Sequence, residues 1–389
     1  MTRRLFSSDG FANFESAFTA WNMKRYIILC MALIGLFAQG DARVSLRYYP
    51  YELQLRHAFN LASMSRTTTP GVQVEISMDS VGVGGAPLIG YGEASMPPYL
   101  GESVASVTEF LSRVDASRLS DPFAIDAIHA YLDSLAPGNM AAKAAVDIAL
   151  HDLTGKLMGQ PWHRIWGIDE RNAPCTSYTI SNDTPEVLEQ KIAESAPYKV
   201  IKVKMGVPGD RQLIETIRRH TDRPICVDVN QGWKTPQEAL DNILWLADRG
   251  VIFVEQPLDK HDMEGHAWLK ERSPIPIVAD EAVQTSADVP ALARAYDGIN
   301  IKLMKCGGLH DAYRMAVLAR GLGMKVMIGC MTETSCAVSA AAQLAGLADW
   351  VDLDGNLLIA NDLFDGMKIV DGRVEVSDLP GIGITPKKN

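Results

Sequence analysis

The sequence lacks the features that mark disulfide-stapled, membrane-anchored or nucleic-acid-binding proteins. Its six cysteines show no short paired spacing, and Cys30 stands apart in an N-terminal stretch, which leaves an odd set: Cys175, Cys226, Cys306, Cys330 and Cys336. That excludes a disulfide framework and predicts buried free thiols. Basic charge is in deficit. The 37 Lys and Arg against 47 Asp and Glu give a formal charge of −10, and no basic run carries interleaved aromatics, so neither nucleic acid nor an anionic membrane surface is an expected partner. The N-terminal apolar stretch, residues 26–37, is too short for a stable membrane anchor. A dinucleotide loop is missing too: Gly82-Val-Gly-Gly85 is followed by neither a helix nor an acidic residue at the required distance, and reads as a hairpin turn. There is no internal repeat beyond strand–helix alternation, and no low-complexity linker.

What is present begins with a targeting signal. From Met23 the chain reads Met-Lys-Arg, then the apolar stretch, then Ala-Gln-Gly-Asp-Ala42, the basic, apolar and small-residue regions of a secretory signal. Residues 1–42 are therefore read as a signal peptide with an upstream extension, cleaved near Gly40 or Ala42. Export to a periplasm is the expectation, with a cytoplasmic location if the signal goes unused.

The informative part is a series of apolar runs that each stop in a charged residue. Lys199-Val-Ile-Lys-Val-Lys204 carries Lys202 and Lys204, Ile225-Cys-Val-Asp228 ends in Asp228, and Val251-Ile-Phe-Val-Glu255 ends in Glu255. Ile275-Pro-Ile-Val-Ala-Asp280 and Ile299-Asn-Ile-Lys302 follow with Asp280 and Lys302. Continuous β-branched runs of this kind are buried parallel strands, and the charges fall where the catalytic face of a barrel begins. Helical stretches such as residues 236–247 separate the runs. The fold class read from this pattern is α/β, a TIM-type (β/α) barrel over residues 173–358, preceded by an α+β cap domain over 43–172. The segment 359–389 returns to complete the cap through the strand-like Lys368-Ile-Val370 and Val374-Glu-Val376. A chain of 389 residues, 47% hydrophobic, is long enough for a barrel of roughly 250 residues with a smaller domain.

Three carboxylates gathered together repel one another unless a hard divalent cation lies among them, and an all-oxygen set favours Mg²⁺ over Zn²⁺. Such a cation can hold a substrate carboxylate and stabilise the enolate-like dianion formed when the neighbouring carbon loses its proton. Lysine serves as base when its pKa falls toward neutrality, which burial, a second lysine on the same strand face and a nearby cation all favour. Proton abstraction alpha to a carboxylate is the reaction class that these residues imply.

Lys-x-Lys on the second barrel strand, then Asp, Glu and Asp on the third to fifth and Lys on the sixth, resembles the enolase superfamily in its muconate-lactonizing subgroup. The base-and-magnesium chemistry is that superfamily's own, so it comes here with the resemblance as well as from the residues. The likeness extends to Gly138-Asn-Met-Ala-Ala-Lys-Ala-Ala-Val-Asp-Ile-Ala-Leu-His-Asp152 and Gly92-Glu-Ala-Ser-Met-Pro-Pro-Tyr99 in the cap. Within the subgroup the chain resembles the dipeptide epimerases, the Ala-Glu epimerases among them, through Trp350-Val-Asp-Leu-Asp-Gly355, Asn300-Ile-Lys-Leu-Met-Lys-Cys-Gly-Gly308 and Ile328-Gly-Cys-Met-Thr-Glu-Thr334. The resemblance implies that Asp228, Glu255 and Asp280 hold one Mg²⁺ per subunit and that Lys204 and Lys302 are the two acid/bases. By the same token Lys202 helps to hold the substrate carboxylate, Cys330, Met331 and Thr332 line the pocket, and Asp352 and Asp354 receive the dipeptide's α-ammonium. Alternate strand positions point to one side, so both aspartates can face one cation. Arg66, in the loop Ser63-Met-Ser-Arg-Thr-Thr-Thr69, is aligned with an arginine that pairs with a glutamate side chain, and Thr179 with a substrate-contacting threonine.

The expected partner is thus a small dipeptide, with a homo-oligomer compatible but not indicated. Two other superfamily readings, an o-succinylbenzoate synthase and a cycloisomerase, leave Asp352 and Asp354 without purpose. A non-catalytic periplasmic peptide-binding protein needs neither metal nor second lysine, and a Schiff-base aldolase gives three clustered carboxylates no role. Glu281 is expected beside a lysine rather than on the metal, and His151 to serve helix packing.

Overall fold

The computed structural model describes residues 43–61, 64–79, 81–96, 100–181, 183–207 and 209–388. The expected export signal, with Cys30, lies outside the described residues, as do positions 97–99 of the cap loop and Ser63 of the Arg66 segment. The described elements fall within one unit, Val44–Asn389.

The unit opens with an antiparallel meander of β1 (Val44–Leu61), β2 (Met64–Met78) and β3 (Leu88–Ser95). Val72, Val74 and Ile76 on β2 are fully buried while Gln73 and Glu75 between them are not, the period-two alternation of a sheet with one covered face. The covering element is the helix Met140–Met158, buried from Ala141 to Gly155. Small residues allow the contact: a Cβ at Gly90 would lie 2.1 Å from Ala149 O, and one at Gly92 1.9 Å from Ala145 O, so only glycine lets strand and helix approach so closely. The helix ends at Gly159, whose φ of 66° is the left-handed cap expected of that glycine. His151 packs within it against Trp162, with ring centroids 4.5 Å apart.

Eight parallel strands follow in chain order: β4 (Ser177–Ile180), β5 (Val200–Lys204), β6 (Ile225–Asp228), β7 (Val251–Glu255), β8 (Ile277–Ala279), β9 (Gly298–Ile301), β10 (Lys325–Gly329) and β11 (Trp350–Asp352). A parallel bridge between Thr176 and Val351 brings the last strand back to the first, nearly closing the barrel. The architecture is thus the expected (β/α) barrel with an α+β cap.

Three local expectations need correction. Arg66 is not in a loop: it lies in β2, paired with Phe59 of β1 beyond a register shift, because the β-branched run Thr67-Thr68-Thr69 carries extended backbone back toward the turn. The strands β12 (Lys368–Val370) and β13 (Arg373–Glu375) form their own hairpin, which meets the approach to the barrel where Thr176 N donates to Gly372 O at 2.8 Å. The return to the cap is made later, by Trp162 N donating to Gly381 O at 3.2 Å and Ile382 N donating to Asp152 Oδ1 at 3.1 Å. The five cysteines outside the N-terminal segment are free thiols, but Cys175 and Cys330 are only partly buried.

Candidate active site

Parallel register sets the site. Lys204 on β5 stands opposite Asp228 on β6, which stands opposite Glu255 on β7; Asp280 directly follows β8 and Lys302 directly follows β9. One cavity at these strand ends is lined by Arg66, Thr179, Lys202, Lys204, Asp280, Lys302, Cys330, Met331, Thr332, Asp352 and Asp354. Asp228 and Glu255, both fully buried, lie behind that lining.

The three carboxylates offer oxygens that all lie within 4.8 Å of one another. Burial first, and the charge of Asp228 second, push the Glu255 carboxyl up to about 7. For Asp228 burial acts in the same direction, yet Lys204 and Lys202 outweigh it and hold the group below the usual carboxylate range. Lys302 and Lys305 do the same for Asp280. A buried all-oxygen set whose middle member is pushed up by burial and by the adjoining Asp228 fits a hard divalent cation, and Asp228, Glu255 and Asp280 are the residues that would hold it.

The lysines attach at both ends of this triad. Lys204 Nζ donates to Asp228 Oδ2 at 2.6 Å, and Lys302 Nζ donates to Asp280 Oδ2 at 2.7 Å. Lys202 behaves differently. Its Nζ lies 2.7 Å from Asp352 Oδ2, 2.8 Å from Glu255 Oε2 and 3.2 Å from Asp228 Oδ2. Burial opposes its charge, but the three carboxylates more than compensate and hold its pKa well above the ordinary lysine value. Lys202 is therefore a fixed ammonium shared among protein carboxylates; the resemblance would have it turned toward substrate.

Asp352 and Asp354 are not equivalent either. Asp352 accepts from Lys202 and from Ser177 Oγ at 2.6 Å, and these partners, against burial, keep it ionised. Asp354 Oδ2 accepts the backbone N–H of Thr179 at 2.8 Å. Burial and then Asp352 push its carboxyl up to about 7. Thr179 thus orients an acceptor through its main chain while also lining the cavity. Arg66 Nη2 donates to Thr332 Oγ1 at 3.1 Å, and Cys330 Sγ donates to Asp352 O at 3.3 Å.

The cap reaches into this lining. Ser95 Oγ of β3 donates to Thr332 O at 2.8 Å, and the buried Glu93 accepts from Thr334 N at 2.9 Å, Ala337 N at 3.2 Å and the Tyr51 hydroxyl. Two contributors, Lys305 and Asn300, carry no role on sequence grounds. Lys305 donates to Asp280 O at 2.6 Å and Asn300 O at 3.0 Å, and Asn300 Nδ2 donates to Glu255 Oε1 at 2.7 Å. A third lysine one helical turn beyond Lys302 was the available signal. Glu281 accepts from Asn230 Nδ2 at 3.2 Å; burial and then Asp280 raise its carboxyl to about 7, with Lys302 opposing.

Comparison with known proteins agrees with this geometry. Residues 44–167 match the model of the mandelate racemase/muconate lactonizing enzyme N-terminal domain, and residues 185–389 match the enolase C-terminal domain-like model. The chain belongs to the mandelate racemase/muconate lactonizing enzyme branch of the enolase superfamily. It is 53% identical over 343 residues to the L-Ala-D/L-Glu epimerase of Bacteroides thetaiotaomicron, covering 88% of either chain. Among solved structures of the superfamily, the dipeptide epimerase of Enterococcus faecalis, complexed with Mg and the dipeptide L-Leu-L-Tyr, superposes with a TM-score of 0.79 at 30% identity, covering 87% of this chain and 98% of that one. A substrate-liganded L-Ala-D/L-Glu epimerase from Bacillus subtilis gives 0.77 at 29%, covering 87% and 98%. This member of the superfamily is an enzyme of the isomerase class.

Proposed function

We propose that the protein is a Mg²⁺-dependent dipeptide epimerase that inverts the α-carbon of the C-terminal residue, with one Mg²⁺ per subunit. The observation that carries this reading is the placement of Lys204 and Lys302 at opposite ends of the carboxylate triad. A bound cation would neutralise the substrate carboxylate and the charge that develops on it as the α-proton leaves. Lys204 and Lys302, facing the carbon from its two sides, remove the proton from one epimer and return one to the other face. Lys202 keeps Asp352, Glu255 and Asp228 in fixed relation. Asp354 supplies a carboxylate for the α-ammonium, which a synthase or cycloisomerase acting on an uncharged group would not need. Support also comes from the dipeptide-bound relatives.

The test is solvent-deuterium uptake across a dipeptide library read by mass spectrometry. Uptake should be confined to one residue, the C-terminal one, and strongest for Ala-Glu-like dipeptides. Arg66→Gln should lower the preference for a second-position glutamate by about 10- to 100-fold, the worth of one charge-assisted contact. No uptake into any dipeptide would overturn the proposal.

The unequal partners of the aspartate pair predict unequal variants. Asp352 is already neutralised by Lys202, so Asp354→Asn should raise the dipeptide KM on the order of 10- to 100-fold, with a smaller rise for Asp352→Asn. With the Asp354 carboxyl at about 7 in the free site, protonation competes with ammonium binding, and KM should climb as the pH falls below about 7. A flat KM between pH 5.5 and 8 would remove Asp354 from the ammonium site.

A further inference from the structure

Gln256 follows Glu255 in the chain, is fully buried, and has a φ of 39°, in a region that side-chain-bearing residues seldom occupy. Asn230 and Gln231, just past Asp228, share that feature with φ of 45° and 65°. Backbone held this way needs strong surroundings, and the Gln256 contacts show what those are. Its N–H donates to Val278 O on β8 at 2.9 Å, and its carbonyl accepts from Gln231 N beyond β6 at 2.9 Å. The side-chain Oε1 accepts from Asp280 N at 3.0 Å and from Ala282 N at 3.1 Å. Nε2 is directed away, donating to Leu258 O and to Tyr296 Oη, each at 3.2 Å.

One residue therefore touches the ends of all three strands that present the carboxylates. The chain turns just after β8, and the Gln256 amide sits inside that turn. It grips the main chain of Asp280 itself, which fixes where the Asp280 carboxylate starts. Through its own main chain it sets the β6 loop against Glu255. We infer that Gln256 is the positioning residue of the cation site: it sets the mutual distances of Asp228, Glu255 and Asp280 without touching the cation. The inference rests on the reading that these three carboxylates hold the metal. Residues that orient metal ligands from behind are worth about 10- to 100-fold in metal affinity, and the Gln256 side chain holds the main chain of one of them, Asp280, directly.

Two variants separate this role from a general contribution to folding. Gln256→Met keeps the volume and removes both hydrogen-bonding functions. Gln256→Gly removes the side chain but adopts a positive φ without the Cβ penalty, so it spares the backbone at position 256. Calorimetric titration with Mg²⁺ alone should show Kd raised by about 10- to 100-fold in both, while circular dichroism shows a folded chain. Tyr296→Phe, which leaves Oε1 in place, should leave Kd unchanged. Parent-like Mg²⁺ affinity in the folded Gly variant overturns the inference alone. Glu255→Gln binding Mg²⁺ as tightly as the parent overturns the metal reading, and the inference with it.

Discussion

Replacing either Lys204 or Lys302 with alanine should stop epimerisation while leaving each variant able to exchange the α-proton of one epimer with solvent. The two ammonium groups approach the triad from its Asp228 end and its Asp280 end, with the strands that carry them separated by β6, β7 and β8. A substrate carbon held between them presents one face to each. Inversion needs both faces in a single turnover, whereas exchange needs only one. A positioned general base is worth about 10²- to 10⁴-fold, so net inversion should drop by at least that factor, and exchange should survive on the side of the remaining lysine. Deuterium should therefore wash into one epimer in the Lys204 variant and into the other in the Lys302 variant, as read by mass spectrometry after chiral separation. If Lys302→Ala interconverts both epimers at an undiminished rate, a one-base mechanism through Lys204 must replace this one.

Chelation should abolish activity altogether, and Mg²⁺ should restore it. Without a cation, burial first and Asp228 second keep Glu255 up at about 7, so the free site does not hold all three carboxylates fully charged near neutrality. The same groups acting on substrate would have to accommodate a carboxylate that gains a second negative charge as the proton leaves. Nothing else among the described residues lining the cavity supplies a doubly positive centre. Binding should also show as stability, with a thermal midpoint that climbs with Mg²⁺; at about 100 times Kd the gain is about 2.7 kcal/mol. Full activity in excess chelator would remove the metal from the mechanism.

The barrel and the six charged strand ends were legible because both follow from local pattern: β-branched runs stop where charge begins, and parallel register then aligns the ends. What local pattern does not carry is which charge neutralises which. Lys202 and Asp352 are 150 positions apart, and only barrel closure brings them together, so the fixed ammonium and the inequality of Asp352 and Asp354 were hidden. Gln256 gave no signal because an amide in an apolar run looks like a solvated strand end. Arg66 was misplaced because its neighbours were read as a loop, although three threonines in a row favour extended backbone. The tail was misread for a related reason: two short strands separated by Asp371-Gly372 pair with each other before they pair with anything distant.

The bonds from Ser95 and Glu93 to residues 332–337 bear on how such enzymes can be recombined. A segment of the cap acts as a template for the barrel loop that lines the substrate cavity, so the boundary between matching family models, which falls after residue 167, is not a boundary of specificity. A chimera joining the cap of one relative to the barrel of another would inherit a lining loop shaped for a strand it no longer has. The unit to transplant is β3 together with residues 330–337, two stretches far apart in sequence and joined by these bonds into one support behind the cavity lining.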